Sequence, residues 1–317
     1  MSNPSNLIIG SRGSDLALWQ TRWVASQLGV PTEVSIISTQ GDRVLDRDLS
    51  GMEGKGFFTK ELEEALYART IDLAVHSLKD LPTTTPPGLS IAAVSKRAPV
   101  ADILLVHPDW HDPSSPFPVK RGAKVGASSL RRQSYVRAAR ADLEPTSLRG
   151  NVPTRVRKCR EGLYPAIVLA EAGLSRLALD VKPLFVYRLN ASQWLPAPGQ
   201  GALGLETRAD DRAEAACRVL DHRATREACD IERGLLARFE GGCHLPLGTY
   251  AEATADGFRF QACFAPSPDR LVRCDITGSD VASTVERAFE TLRALEARGK
   301  HHAFEGGGLC EPLAAWS

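Results

Sequence analysis

The sequence predicts two similar α/β lobes with largely parallel strands, followed by a smaller α+β domain. Three observations carry this. Short apolar runs alternate with amphipathic stretches from residue 7 to about 99, and the alternation returns between 100 and 195 without obvious sequence identity. From about Asp211 the sequence turns helix-forming, and beyond Cys243 come segments with the two-residue period of antiparallel strands. The expected division is lobe 1 over 1–99 plus about 196–217, lobe 2 over 100–195, and a C-terminal domain over 218–317. Two lobes imply a cleft, and ligands of such sheets gather at the strands' carboxyl ends.

In lobe 1, Leu7-Ile8-Ile9 reads as a buried strand and Ser14 as the N-cap of a helix. That helix carries Leu16, Trp19, Trp23, Val24 and Leu28 on one face and is closed by Gly29 and Pro31. A strand at Val34–Ile37, a glycine-rich loop over Gly51–Gly56 and a helix from Thr59 through Tyr67 follow. Leu73-Ala74-Val75 is the third strand and runs into His76-Ser77-Leu78-Lys79-Asp80-Leu81-Pro82. Arg12, Ser14, Lys79 and Asp80 therefore all fall at strand ends.

A proline-spotted connector around Pro99–Pro118 leads to lobe 2. There Lys124-Val125-Gly126 reads as a strand, Ser128-Ser129 as a cap and Leu130–Arg140 as a helix, with the next strand at Thr146–Leu148. Asn151 caps a helix with Pro153 in its first turn and Val152, Val156 and Cys159 on one face, ended by Gly162. Ala166–Ala170 is the last strand read in this lobe, and Trp194–Ala202 reads as a second crossing back to lobe 1. A helix at Arg212–Leu220 is read across the start of the third domain, which continues with a helix at Arg226–Phe239, strands at Tyr250–Ala253, Phe258–Phe264 and Leu271–Thr277, and a helix at Val281–Ala297. The tail from Gly299 is expected to be loosely ordered.

Composition narrows the function. Across 317 residues, 39 basic side chains nearly cancel 38 acidic ones, and no aromatic platform interleaves them, which argues against nucleic acid. Thirty of the basic residues are Arg, whose planar fork pairs bidentately with carboxylate or phosphate. The seven cysteines are odd in number and form no Cys-x-x-Cys, so a disulfide framework or zinc site is not expected. The histidines show no metal-ligand spacing either. No apolar run approaches a membrane span and no basic n-region precedes Leu7, so the expectation is a cytoplasmic protein.

The charge is unevenly placed. Between Val119 and Arg160 twelve Lys or Arg face only Asp142 and Glu144. A solvated basic face would produce the same count, but Ser128, Ser129, Arg131 and Arg132 open a helix, where free N–H groups and the dipole attract anions. Arg149 and Asn151 sit at a strand-to-helix junction, with Arg155 one turn on. A ligand bearing several carboxylates fits this set. Asp80 reads either as a turn-former or as the one acid in a basic cleft, able to stabilise a transient cation. Glu240-Gly241-Gly242-Cys243-His244-Leu245-Pro246 displays Cys243 on a glycine-bounded turn. One loop thiol alone is incidental; among so many cationic side chains it reads as an attachment point.

Arg12 with Leu16-Ala17-Leu18-Trp19-Gln20, Gly54 through Leu62, Val75 through Pro82, Ser128-Ser129-Leu130-Arg131-Arg132-Gln133, Leu148-Arg149-Gly150-Asn151, Pro198-Gly199-Gln200-Gly201-Ala202-Leu203, and Glu240 through Cys243 form an ordered set of motifs. Together they resemble the porphobilinogen deaminase (hydroxymethylbilane synthase) family. The match runs in order from about residue 7 to 250, and residues 251–317 share only general character with the family.

The resemblance implies two lobes like those of type II periplasmic binding proteins and a C-terminal domain in which Cys243 carries a dipyrromethane cofactor through a thioether. It implies a monomeric transferase that adds four porphobilinogen molecules head to tail, each losing ammonia, and releases a linear tetrapyrrole with water. Asp80 corresponds to the catalytic carboxylate. Arg12, Ser14, Lys79, Ser128, Ser129, Arg131, Arg132, Arg149, Gly150, Asn151, Arg155, Arg176 and Gln200 correspond to cofactor and substrate contacts, with Lys55 and Phe58 on a loop over the cleft. Every porphobilinogen brings an acetate and a propionate, so a growing chain is a lengthening polycarboxylate. Two other classes fit parts of the pattern. A two-lobed binding protein for a polycarboxylate needs no modified cysteine, and a thiol hydrolase needs a Cys-His-Asn arrangement that the sequence does not offer.

Overall fold

The computed structural model describes residues 6–39, 59–239, 245–304 and 308–313. The chain opens with β1 (Leu7–Ser11), α1 (Asp15–Gln27), β2 (Thr32–Ile36), α2 (Lys60–Tyr67), β3 (Leu73–Ser77) and β4 (Leu89–Val94). It continues through β5 (Asp102–Val106), β6 (Lys124–Gly126), α3 (Leu130–Ala139), β7 (Glu144–Thr146), α4 (Val152–Arg160), β8 (Ala166–Ala170), α5 (Glu171–Leu177) and β9 (Phe185–Leu189). Then come β10 (Leu203–Arg208), α6 (Arg212–Cys217), α7 (Arg223–Arg238), β11 (Leu247–Thr254), β12 (Gly257–Ser267), β13 (Arg270–Gly278), α8 (Val281–Ala297) and β14 (Cys310–Pro312). These elements form two compact units, residues 1–98 with 199–227 and residues 99–198 with 228–317.

The first unit is built on a sheet of order β2-β1-β3-β10-β4, in which β1 runs parallel to β2 and β3 while β10 is antiparallel to β3 and β4. Ile9, Val24, Leu73, Val75, Leu203 and Leu205 fill one face, and Leu62, Leu66, Ile71 and Ala74 the other. Burial on both faces explains why these strands read as apolar runs rather than as alternations. The sequence expectation for α1 needs correction. Its buried stripe is Ala17, Gln20, Thr21 and Val24, while Leu16, Trp19 and Trp23 are half-buried. The reason is a polar anchor: Gln20 Nε2 donates to Ser77 Oγ at 2.9 Å, turning that face toward β3.

The second unit holds a sheet of order β14-β9-β5-β8-β6-β7. Without β14, the order and directions repeat those of the first sheet. β6 is parallel to β7 and β8, and β5 is antiparallel to β8 and β9. In each sheet the antiparallel strand is the one the chain forms just after passing from one unit to the other. The stretch expected to be a mere connector after Pro99 therefore contains β5, a strand buried along its whole length. β4, β9 and β10 are likewise strands that sequence reading left unassigned.

The same unit carries a separate C-terminal sheet, β11-β12-β13, an antiparallel meander packed against α7 and α8 through Ile231, Leu235, Phe260, Ala288 and Leu292. Its other face joins the lobe core: Cys263, Ala265 and Leu271 cluster with Leu104, Tyr135 and Trp194. The described part of the tail is not loose. His302 N donates to Leu271 O at 2.8 Å, Phe304 stacks on Trp194, and β14 pairs with β9. Burial of Leu309 and Phe304 against the core supplies what the glycine-rich composition hid.

Candidate active site

In the first unit the site residues gather at one edge of the sheet. β1 ends at Ser11, placing Arg12 in the turn and Ser14 at the N-cap of α1, where its Oγ accepts from Ala17 N at 3.4 Å. The neighbouring parallel strand β3 ends at Ser77 and passes into a single 3₁₀ turn, Leu78–Asp80. Leu78 N donates to Ala202 O at 3.0 Å, tying this turn to the segment that leads into β10. Because β10 is antiparallel to β3, its leading residues reach the same edge. Lys79 Nζ donates to Oε1 of the buried Gln200 at 3.3 Å, and Arg97 Nε donates to Gln200 O at 2.7 Å. Asp80 is exposed at the end of the turn, and among the described residues no group donates to its carboxylate. A carboxylate so presented can meet an N–H group or a developing positive charge.

The second unit repeats the layout with cations. β6 ends at Gly126, and the next residues cap α3: Ser129 Oγ accepts from Arg132 N at 3.3 Å, while Ser128 Oγ donates to Leu148 O at 2.7 Å. The adjacent parallel strand β7 leads through Arg149 and Gly150 to Asn151, whose Oδ1 accepts from Thr154 N at 2.9 Å and caps α4. Gly150 adopts φ of +111°, and a Cβ there would meet Thr154 at 2.7 Å, so only glycine allows this approach of strand to helix. Arg155 Nε closes the turn by donating to Gly150 O at 2.6 Å, and Lys158 Nζ donates to Arg149 O at 3.0 Å. Arg176 lies on α5, and burial brings its pKa down to about 10, which leaves it a cation at neutral pH in a place that costs it hydration.

Arg131 and Arg132 occupy the first turn of α3, as expected, but they are buried and converge on an acid that sequence reading missed. Asp102, fully buried at the start of β5, accepts from Arg131 Nη2 at 2.8 Å and from Arg132 Nη2 and Nε at 2.6 and 3.1 Å. Trp194 Nε1 adds a donor at 3.0 Å, and Arg131 Nη1 also donates to Leu195 O at 2.7 Å. The only sequence signal was a single Asp before the apolar run Ile103–Val106, inside a stretch read as connector. His76, read as a local polar residue, is buried on β3 with Nε2 3.2 Å from the buried Glu206 of β10. Nearby on α2, burial raises the pKa of Glu63, with the charge of Glu206 adding to it. Lys55, Phe58 and Cys243 lie outside the described residues.

Comparison with known proteins bears on this arrangement. The family profile "Porphobilinogen deaminase, dipyromethane cofactor binding domain" matches residues 7–216, and "Porphobilinogen deaminase, C-terminal domain" matches residues 226–296. A porphobilinogen deaminase of Helicobacter acinonychis is 39% identical over 91% of this chain and 93% of its own length. One from Trichlorobacter lovleyi is 42% identical over 94% and 95%, and one from a Roseiflexus species is 45% identical over 84% and 88%. Among solved structures, the periplasmic VFT2 domain of Bordetella pertussis BvgS covers 68% of this chain and 86% of its own, at 11% identity and a TM-score of 0.40. With profiles and relatives agreeing over most of its length, the chain belongs to the porphobilinogen deaminase family.

Proposed function

We propose that the chain polymerises four porphobilinogen molecules head to tail with loss of ammonia and releases hydroxymethylbilane by hydrolysis, with Asp80 as its catalytic carboxylate and Cys243 as the attachment point of a dipyrromethane cofactor. The observation that carries this reading is the open carboxylate of Asp80, held on a short turn beside the Lys79–Gln200 pair at a strand's carboxyl end. Loss of ammonia from porphobilinogen leaves positive charge on its pyrrole. Asp80 stabilises that charge by accepting the ring N–H, and it takes up the proton set free when the new carbon–carbon bond forms. A carboxylate with no competing donor among the described residues suits both tasks.

The donor set of the second unit fits a polycarboxylate. Arg149, Arg155 and the desolvated Arg176 offer forks, and the capped starts of α3 and α4 offer helix N-termini. When bound, the cofactor supplies the pyrrole carbon from which the product grows. Arg12, Ser14, Lys79, Ser128, Ser129, Arg131, Arg132, Arg149, Gly150, Asn151, Arg155, Arg176 and Gln200 would hold its acetate and propionate groups and those of the substrate, together with Lys55 and Phe58. The same reading places a monomeric enzyme in the cytoplasm, with the division into two lobes and a C-terminal domain over 218–317. Among the described residues no helix is long and apolar enough to cross a membrane.

Intact mass after denaturation tests the proposal. The protein and a Cys243→Ser variant are weighed before and after incubation with porphobilinogen. An added mass of two linked pyrroles in the wild type alone is the expected result. If no adduct forms even after incubation, the chain is a polycarboxylate-binding protein instead.

A further inference from the structure

We infer that Asp102 is a positioning residue for carboxylate binding: it locks the guanidinium groups of Arg131 and Arg132 into one orientation before any ligand arrives. The inference rests on the proposed role of those two arginines as carboxylate contacts. Successive helix residues point about 100° apart, so two neighbouring arginines have no reason to converge unless something gathers them. Asp102 does so from the start of β5, where pairing with β8 sets Asp102 opposite Ala170. Its Oδ1 accepts from Arg132 and its Oδ2 from Arg131, Arg132 and Trp194, so both oxygens are engaged. Rotation of either arginine would leave a buried carboxylate short of donors.

The charges of the three side chains do not cancel. Two guanidiniums against one carboxylate leave one positive charge, suited to one incoming carboxylate. Free arginines would lose rotamer freedom on binding, whereas these have already lost it in folding. An aromatic shell excludes water from the cluster. Trp194 is wholly buried and meets Tyr135 edge-on at 5.1 Å, the Tyr135 ring lies 5.7 Å from the Arg131 guanidinium, and Phe304 stacks on Trp194 at 5.8 Å and 19°. Phe304 lies beyond residue 296, where the C-terminal domain match ends. The tail therefore completes the shell around a contact made in the lobe.

An ion pair serving stability alone would look similar, so the test separates folding from binding. Asp102→Asn, Asp102→Glu, Trp194→Phe and Arg132→Leu are compared with wild type in the full-length enzyme. The readouts are thermal unfolding, KM and kcat for porphobilinogen, and the rate of cofactor assembly by intact mass. Trp194→Phe keeps an aromatic ring but removes the indole N–H together with the pyrrole half of a buried side chain, so in folded protein KM is expected to rise about threefold with kcat little changed. Asp102→Asn places an amide N–H against the guanidiniums and is expected to raise KM at least about tenfold and slow assembly, with Asp102→Glu recovering part of the loss. If folded Asp102→Asn keeps KM and assembly within about twofold of wild type while Arg132→Leu impairs them, the inference is overturned and the arginine reading stands. If Arg132→Leu changes neither, the carboxylate role of the pair fails, and the inference with it. Should Asp102→Asn not fold, an unchanged KM in folded Trp194→Phe overturns the inference on its own.

Discussion

The two lobes use one sheet plan and arrive at opposite electrostatics. In each, the antiparallel strand formed just after the chain passes between units brings a leading residue to the carboxyl edge of its parallel neighbours. In the first unit that residue is Gln200, a neutral amide that accepts from Lys79 and leaves Asp80 undisturbed and exposed. In the second it is Asp102, a buried anion that engages two arginines from several sides. The difference suits the proposed role of each group, since a catalytic carboxylate must remain open to the charge that develops, whereas binding forks gain by being fixed beforehand.

The sharpest way to break this comparison is Asp80→Asn. It keeps the shape of an exposed side chain and removes the charge, so turnover is expected to fall about 10²- to 10³-fold. The thermal midpoint should scarcely move, because an exposed substitution of this kind stays within about 0.5 kcal/mol. Product formation and a melting curve on the same sample decide it; near-normal turnover rejects Asp80 as the catalytic group.

On the cationic side, Arg149→Leu is expected to raise KM or slow cofactor assembly about 10- to 100-fold, the worth of one or two charge-assisted hydrogen bonds. An unchanged product rate would return Arg149 to a solvated basic face. Gly248→Ala probes the packing behind the fixed arginines instead. Its Cβ would lie 2.2 Å from Tyr135 Oη and 2.7 Å from Leu195 O, the carbonyl that also receives Arg131. A loss of about 1–3 kcal/mol in denaturant unfolding is expected, and a neutral result would show that this packing yields easily. Gln200→Leu removes the neutral acceptor from Lys79 and should cost only about two- to tenfold in kcat/KM. A loss as large as that of Asp80→Asn would show that the first unit is as tightly preset as the second.

The smallest expected signal is in thiol chemistry. Burial pushes Cys159, Cys217, Cys274 and Cys310 up to about 12 and Cys263 up to about 11, and Cys229 is buried. Thiolate is the reactive form, so alkylation of the native protein at pH 8 should add one label at most, at Cys243. Labelling should vanish once the cofactor occupies that thiol. Two or more labels on the folded protein would contradict it.

Local signals made much of this legible. Ser14, Ser129 and Asn151 read as N-caps and are N-caps, because capping is settled by a few neighbouring atoms. Asp80 and Arg149 read as strand-end residues for the same reason. Strands buried on both faces were harder: Asp102–Val106 carries no periodicity, so a proline-spotted approach outweighed it. The tail misled in the opposite way. Its glycines and histidines argued for disorder, yet Phe304 and Leu309 find a core and β14 finds an edge.

By itself the sequence determined the family, most of the helices though not α5, several of their caps, and the residue types at each strand end, since motifs and short-range hydrogen bonds depend on chain neighbours. The tertiary structure alone decided that β5 and β10 run against their sheets, and therefore which residue each brings to the site. It also decided that Arg131 and Arg132 spend much of their hydrogen bonding on Asp102, 29 and 30 residues away. Such pairings depend on strand register and burial, and neither is written in any local stretch of the chain.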